Sequence, residues 1–136
     1  MVIPMQLIDV RDRWQTGSGA VYEFSQTGAS ISATYLEPSQ DQVASGIKPT
    51  DIAYVGDLIG QIIVGQFHHR AHLDDQKRCP ANSYFVTTLY LTISQDAATM
   101  EGDLLVEHIS DACQIDDRRL DHLHFTKVRE ICHPIR

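Results

Sequence analysis

The chain has 136 residues, with 11 Lys and Arg against 18 Asp and Glu, and a formal charge of −7. That length suits one domain with its own core, residues 1–136, and a hydrophobic content of 43% argues against disorder. The acidic balance argues against nucleic acid and an anionic membrane surface as partners, and no apolar run nears the ~20 residues of a helical membrane span.

The opening segment, MVIPMQLIDVRDRW, has no basic leader region, and Pro4, Gln6 and Asp9 interrupt its apolar residues. A cytoplasmic setting is therefore expected, with a secreted or periplasmic one only if a leader has been removed. Residues before Trp14 are candidates for an additional strand. Residues 20–25 alternate, with Ala20, Tyr22 and Phe24 on one face. After Gln26-Thr27-Gly28, residues 29–36 alternate again, with Ile31, Ala33 and Tyr35 on one face, so the two runs make a hairpin. Residues 37–50 read as a loop with one helical turn near 39–43.

Residues 52–58 and 61–69 form a second hairpin around Ile59-Gly60. Gly56, Gly60 and Gly65 suggest bends or bulges of the kind found at barrel corners. Residues 71–82 are a polar connection. Residues 83–94, SYFVTTLYLTIS, are the clearest strand, with Phe85, Leu89, Leu91 and Ile93 on one face. A turn at 95–98 leads into 99–109, where Met100, Leu104, Val106 and His108 share a side. Residues 120–130 supply the last strand. Seven or eight strands in sequence-adjacent hairpins predict an all-β, antiparallel, up-and-down barrel of about eight strands, closed to remove its edges.

Trp14, then Gly17 and Gly19, then a strand carrying Tyr22 and Phe24, give this layout a resemblance to the calycin group of small barrels, which includes lipocalins and avidin-like proteins. Lipocalins open with Gly-x-Trp, and Asp12 stands here at the glycine position. They also set an Arg after the last strand against that Trp, which the resemblance assigns to Arg129. It implies an up-and-down barrel with a ligand pocket. Independently of it, Trp14 reads as a plug at one end of the barrel.

Cys79, Cys113 and Cys132 show no Cys-x-x-Cys spacing, so a zinc ribbon or thioredoxin-like site is not indicated. A turn centred between Asp96 and Ala97 brings Cys79 and Cys113 nearly opposite at the open end of one hairpin. They are the candidate disulfide, with a redox switch or two reduced, buried thiols as the alternatives. Cys132 has no arrangement that makes it a nucleophile, although His133 follows it.

His122 and His124 share a strand face and could aim two imidazoles at one ion, with His68 or His108 as a third ligand. The sequence lacks a clear third ligand, so neither a metal nor another cofactor is assigned. If Leu123 and Phe125 point inward, both histidines lie outside. Asp74-Asp75 and Asp116-Asp117 do not fit a calcium loop, and no phosphate loop or nucleophile elbow is present.

Three functions remain open. The first is binding of a small apolar or amphipathic molecule, with Tyr22, Phe24, Tyr35, Phe85, Leu89 and Leu104 lining a cavity and Gln66, His68 and His108 orienting the ligand. The second is an enzyme, such as a cyclase, isomerase or decarboxylase, drawing acid–base groups from Tyr22, Tyr35, Tyr90, His108, His122 and His124. The third is a filled barrel acting as a structural or dimerisation module, with Tyr84, Val86, Thr88 and Tyr90 as the candidate homodimer stripe.

Overall fold

The computed structural model describes residues 7–128. Eight antiparallel strands close into a barrel in up-and-down order. They are β1 (Asp12–Thr16), β2 (Val21–Thr27), β3 (Ser30–Glu37), β4 (Ile52–Ile59), β5 (Ile62–Arg70), β6 (Tyr84–Ile93), β7 (Thr99–Ile109) and β8 (Ile115–Lys127). Helix α1 (Gln40–Ala44) lies between β3 and β4, and α2 (Leu73–Arg78) between β5 and β6. Arg129, Cys132 and His133 lie outside the described residues.

The two ends of the barrel differ because their connections differ. At the closed end the turns are tight: Thr27 pairs with Ser30, and Ile59 with Ile62. Gly28 and Gly60 supply the positive φ of 60° and 61° that these two-residue turns need. The other end carries the longer connections, with α1, α2, the β1–β2 turn and the β7–β8 turn. Helix α1 is fixed by a capping box, in which the Ser39 hydroxyl accepts from the Gln42 N–H and the Gln42 side chain accepts from the Ser39 N–H.

Aromatic side chains fill the interior from the closed end upward. Trp14 is fully buried, and its indole N–H donates to the Val10 carbonyl at 2.9 Å. The segment before β1 covers this end, held by Gln26, which accepts from the Val10 N–H and donates to the Ile8 carbonyl. Trp14 is thus the expected plug. The cation over its ring is Lys127, 5.7 Å from the centroid. Above it, Phe24 packs against Trp14, Tyr54 and Phe125, and Tyr22 packs against Tyr35, Phe67 and Phe125.

Gly56 and Gly65 are cross-strand partners. A Cβ on Gly65 would sit 2.4 Å from the Val55 carbonyl and 2.7 Å from the Tyr54 ring. The missing side chain of Gly65 lets the Tyr54 ring cross beneath β5. Its hydroxyl donates to the Leu89 carbonyl at 2.6 Å, inside the core. The glycine bend expected here is a close approach that only glycine allows.

The β7–β8 hairpin departs from a simple barrel. It pairs β7 with β8 from Thr99–Thr126 to Ile109–Ile115. Its outer edges, however, are nearly free. β6 pairs with β7 only at Thr92–Glu101 and Ile93–Met100, and β1 pairs with β8 only at residues 125–127. Along most of its length the hairpin is therefore a two-stranded ribbon without ladders to its neighbours, held against the barrel by the buried Leu104 and Ile109 and by Val106 and Leu123. The last strand starts at Ile115, earlier than the expected residue 120, because the stretch from 115 to 120 is exposed and has no buried face to mark it.

Candidate functional site

The described residues form a cleft of about 590 Å³ at the long-loop end. Its floor is Tyr22, Tyr35, Phe67 and Leu104, the upper layer of the aromatic core. Thr16 and Ser18 edge it from the β1–β2 turn, Gln42 and Ser45 from α1, His69 and Arg70 from β5, and residues 120–124 from β8. The lining thus sets an apolar, aromatic base beneath a largely polar rim, which suits an amphipathic rather than a purely apolar molecule.

Hydrogen bonds fix the floor. Gln42 donates to the Tyr22 hydroxyl at 2.8 Å, which ties α1 to the core, and the Tyr35 hydroxyl donates to the His68 carbonyl at 2.5 Å. Burial raises the Tyr22 phenol to about 12 and drives Tyr35 and Tyr54 still higher. These three tyrosines stay protonated near neutral pH, so they can donate or accept hydrogen bonds but are poor bases.

Each predicted ligand contact has a definite place. Tyr22, Tyr35 and Leu104 point inward and line the cleft. Phe24 and Leu89 also point inward but are buried in the filled core below it. Phe85 faces inward beside His69, in a smaller hollow of about 140 Å³ between β6 and the ribbon. The expectation of one deep hollow is corrected: aromatic rings occupy the centre, and the open space lies at the mouth.

The three expected polar contacts face elsewhere. Gln66 and His68 are on the outer face of β5, because its inward residues are Ile63, Gly65, Phe67 and His69. His68 Nδ1 meets the Tyr84 hydroxyl there. His108 has the inward parity but lies beyond the rim, next to a bulge at His108–Ile109, with its side chain 70% exposed and 2.6 Å from Asp116.

His122 and His124 edge the cleft from β8, while His69, one residue from the position chosen from sequence, lines it from the inner face of β5. Its Nε2 lies 2.9 Å from the Thr87 hydroxyl, and its ring stacks on Phe85. The missed signal was Phe67. With Phe67 taken as inward, alternation puts His69 on the same face.

Leu123 and Phe125 point inward, so His122 and His124 lie outside the barrel. They pair with carboxylates on β7: His122 Nδ1 is 2.9 Å from Asp103, and His124 Nε2 is 3.5 Å from Glu101. His68 and His108 are on other parts of the surface, so the histidine trio that the sequence allows, and to which no metal is assigned, does not form. Among the described residues no group of three or more His, Cys, Asp or Glu is gathered to hold a metal ion.

His108 and His122 should shift in one direction and His69 in the other, as NMR of the imidazoles would show. Asp116 and Asp103, through hydrogen bonds, raise His108 and His122 above the ordinary value of about 6.5. Burial lowers His69 below it. As pH falls through about 6.5, the unfolded chain takes up a proton that folded His69 resists, so this residue's contribution to stability falls on acidification. A His69 value at or above 6.5 would contradict its buried placement.

Cys79 and Cys113 form a disulfide, with their Cα atoms 5.4 Å apart. The expected pairing is right, but the β6–β7 ladder does not extend to it. Cys79 caps α2 and Cys113 sits in the β7–β8 turn, so the bond joins two connections at the mouth. A disulfide of this kind persists mainly in oxidising compartments, which weighs against the cytoplasmic expectation. No helix among the described residues is long and apolar enough to cross a membrane.

The stripe expected on β6 is exposed: Tyr84, Val86 and Tyr90 are each about half accessible. Val55 and Val64 lie on the same outer surface, with Val64 opposite Tyr90. The chain matches no protein-family model and no curated protein.

Proposed function

We propose that this barrel binds a small amphipathic molecule at its mouth, in keeping with its calycin-like layout. The observation that carries this reading is the 590 Å³ cleft, with Tyr22, Tyr35 and Phe67 at its base and Gln42, His69 and Asp121 around it. The filled core limits how deeply the ligand enters. A flat apolar body would stack on the aromatic floor, with its polar atoms turned toward the rim. The disulfide supports an oxidising compartment as its setting.

Titration with the aromatic amine dye N-phenyl-1-naphthylamine tests this. Saturable fluorescence enhancement at one dye per chain is expected. Ser18→Trp sets an indole at the rim without disturbing the packed core, and should weaken binding by roughly tenfold, ~1.4 kcal/mol. No saturable binding, or binding unchanged by Ser18→Trp, would overturn the assignment.

The exposed stripe favours a second role, self-association, which can coexist with binding at the mouth. Tyr84, Val86, Tyr90, Val55 and Val64 form an apolar surface away from the cleft. Sedimentation should show a dimer whose population falls in Tyr90→Lys. A monomer at high micromolar concentration would remove this role.

A further inference from the structure

We infer that the Cys79–Cys113 disulfide controls the mouth cleft, so that its redox state sets how tightly the site holds a ligand. This rests on the mouth being the binding site.

The ribbon has few ladder pairs to its neighbouring strands. Beyond Glu101 it has no ladder to β6, and before Phe125 it has none to β1. A two-stranded ribbon is marginal on its own. Leu104 and Leu123 anchor its inner part to the core and also line the cleft. Its tip is held by the disulfide and by Arg78, whose guanidinium donates to the Ile109 and Ser110 carbonyls at 3.3 and 3.4 Å. The ion pairs of Arg78 with Asp75 and Asp111 are accessible to solvent and add little. Val106 and Ile109 add apolar packing, and the disulfide is the covalent tie between the tip and the barrel. Residues 120–124 belong to the same ribbon and form one wall of the cleft. Release of the tip must loosen that wall.

The chemistry requires a dithiol reductant. Cys79 is 2% exposed, so one reductant thiolate attacks the more accessible Cys113 sulfur. The S–S bond breaks, and Cys79 leaves as a thiolate that takes up a proton. The second thiol of the reagent then displaces Cys113 as a thiol. Two electrons enter the protein, and the reagent leaves as its cyclic disulfide.

The experiment compares the oxidised chain with the same chain in dithiothreitol, both carrying Cys132→Ser to prevent thiol exchange. Hydrogen–deuterium exchange should show roughly tenfold loss of protection in residues 104–122 on reduction, with β2 and β3 unchanged. Binding of N-phenyl-1-naphthylamine should weaken by about the same factor. Cys79→Ser/Cys113→Ser should reproduce both changes without a reductant. If that variant does not fold, the reduced chain gives the same comparison.

Unchanged ribbon protection on reduction would overturn the inference. So would a looser ribbon with unchanged dye affinity, which would leave the mouth as a binding site without redox control. If the oxidised chain binds no dye, the mouth reading itself fails, and the exchange data then report only the disulfide's hold on the ribbon.

Discussion

Trp14→Ala should lower stability by about 3–5 kcal/mol, the usual range for removing a buried Trp. In a domain of this size that amounts to roughly 10–18 °C in Tm. Trp14 is fully buried and packs edge-on against Phe24, and its indole N–H satisfies the Val10 carbonyl. Truncation opens a cavity at the closed end and leaves that carbonyl without its donor. Calorimetry checks the value. A shift of only a degree or two would mean that the end of the barrel is loosely packed. Dye binding at the mouth should survive the change in the chain that stays folded, because Trp14 is not part of the cleft lining.

Loss of the disulfide should cost about as much, ~4 kcal/mol. The bond closes a loop with a sequence separation of 34, and the chain-entropy estimate for a loop of that length is close to this value. Urea unfolding of the oxidised chain against Cys79→Ser/Cys113→Ser reads it. A difference below about 1 kcal/mol would mean that the reduced ensemble already holds the two connections together. Removing a cross-link also exposes more surface on unfolding, so the m-value should rise.

The parts of this fold legible in sequence are those where one strand face is buried and the other wet. In β6, Phe85, Leu89, Leu91 and Ile93 alternate with exposed residues, and the inward face follows directly. β5 is harder to read. Ile62 and Val64 are apolar on its outer face, while Gly65 leaves a gap on the inner one. Alternation there fits either face, and the histidine chosen for the cavity was His68 when His69 is the one that faces it. The outer half of β8 carries no pattern because it stands clear of the core. His108 shows a related limit: its parity points inward, but beyond the rim there is no interior to face.

The disulfide shows how the right residues can be reached by an incomplete route. The turn register was right, since Thr92 pairs with Glu101 and Ile93 with Met100. The ladder then ends, because β7 leaves β6 after Gly102. A Cβ on Gly102 would lie 2.3 Å from the Tyr90 carbonyl. What brings the sulfurs together is α2, a six-residue helix inside a stretch that reads only as polar connection. Asp74 and Asp75 in its first turn and Lys77 and Arg78 in its last suit the helix dipole, a signal too short to identify it from sequence.

The most direct test of the mouth site is to map amide chemical shifts during titration with N-phenyl-1-naphthylamine. The predicted perturbations fall on residues 16–18, Gln42, His69 and 120–124. Perturbations confined to Val55, Val64, Thr88 and Tyr90 on the outer surface would contradict the account and move the ligand site to the side of the barrel.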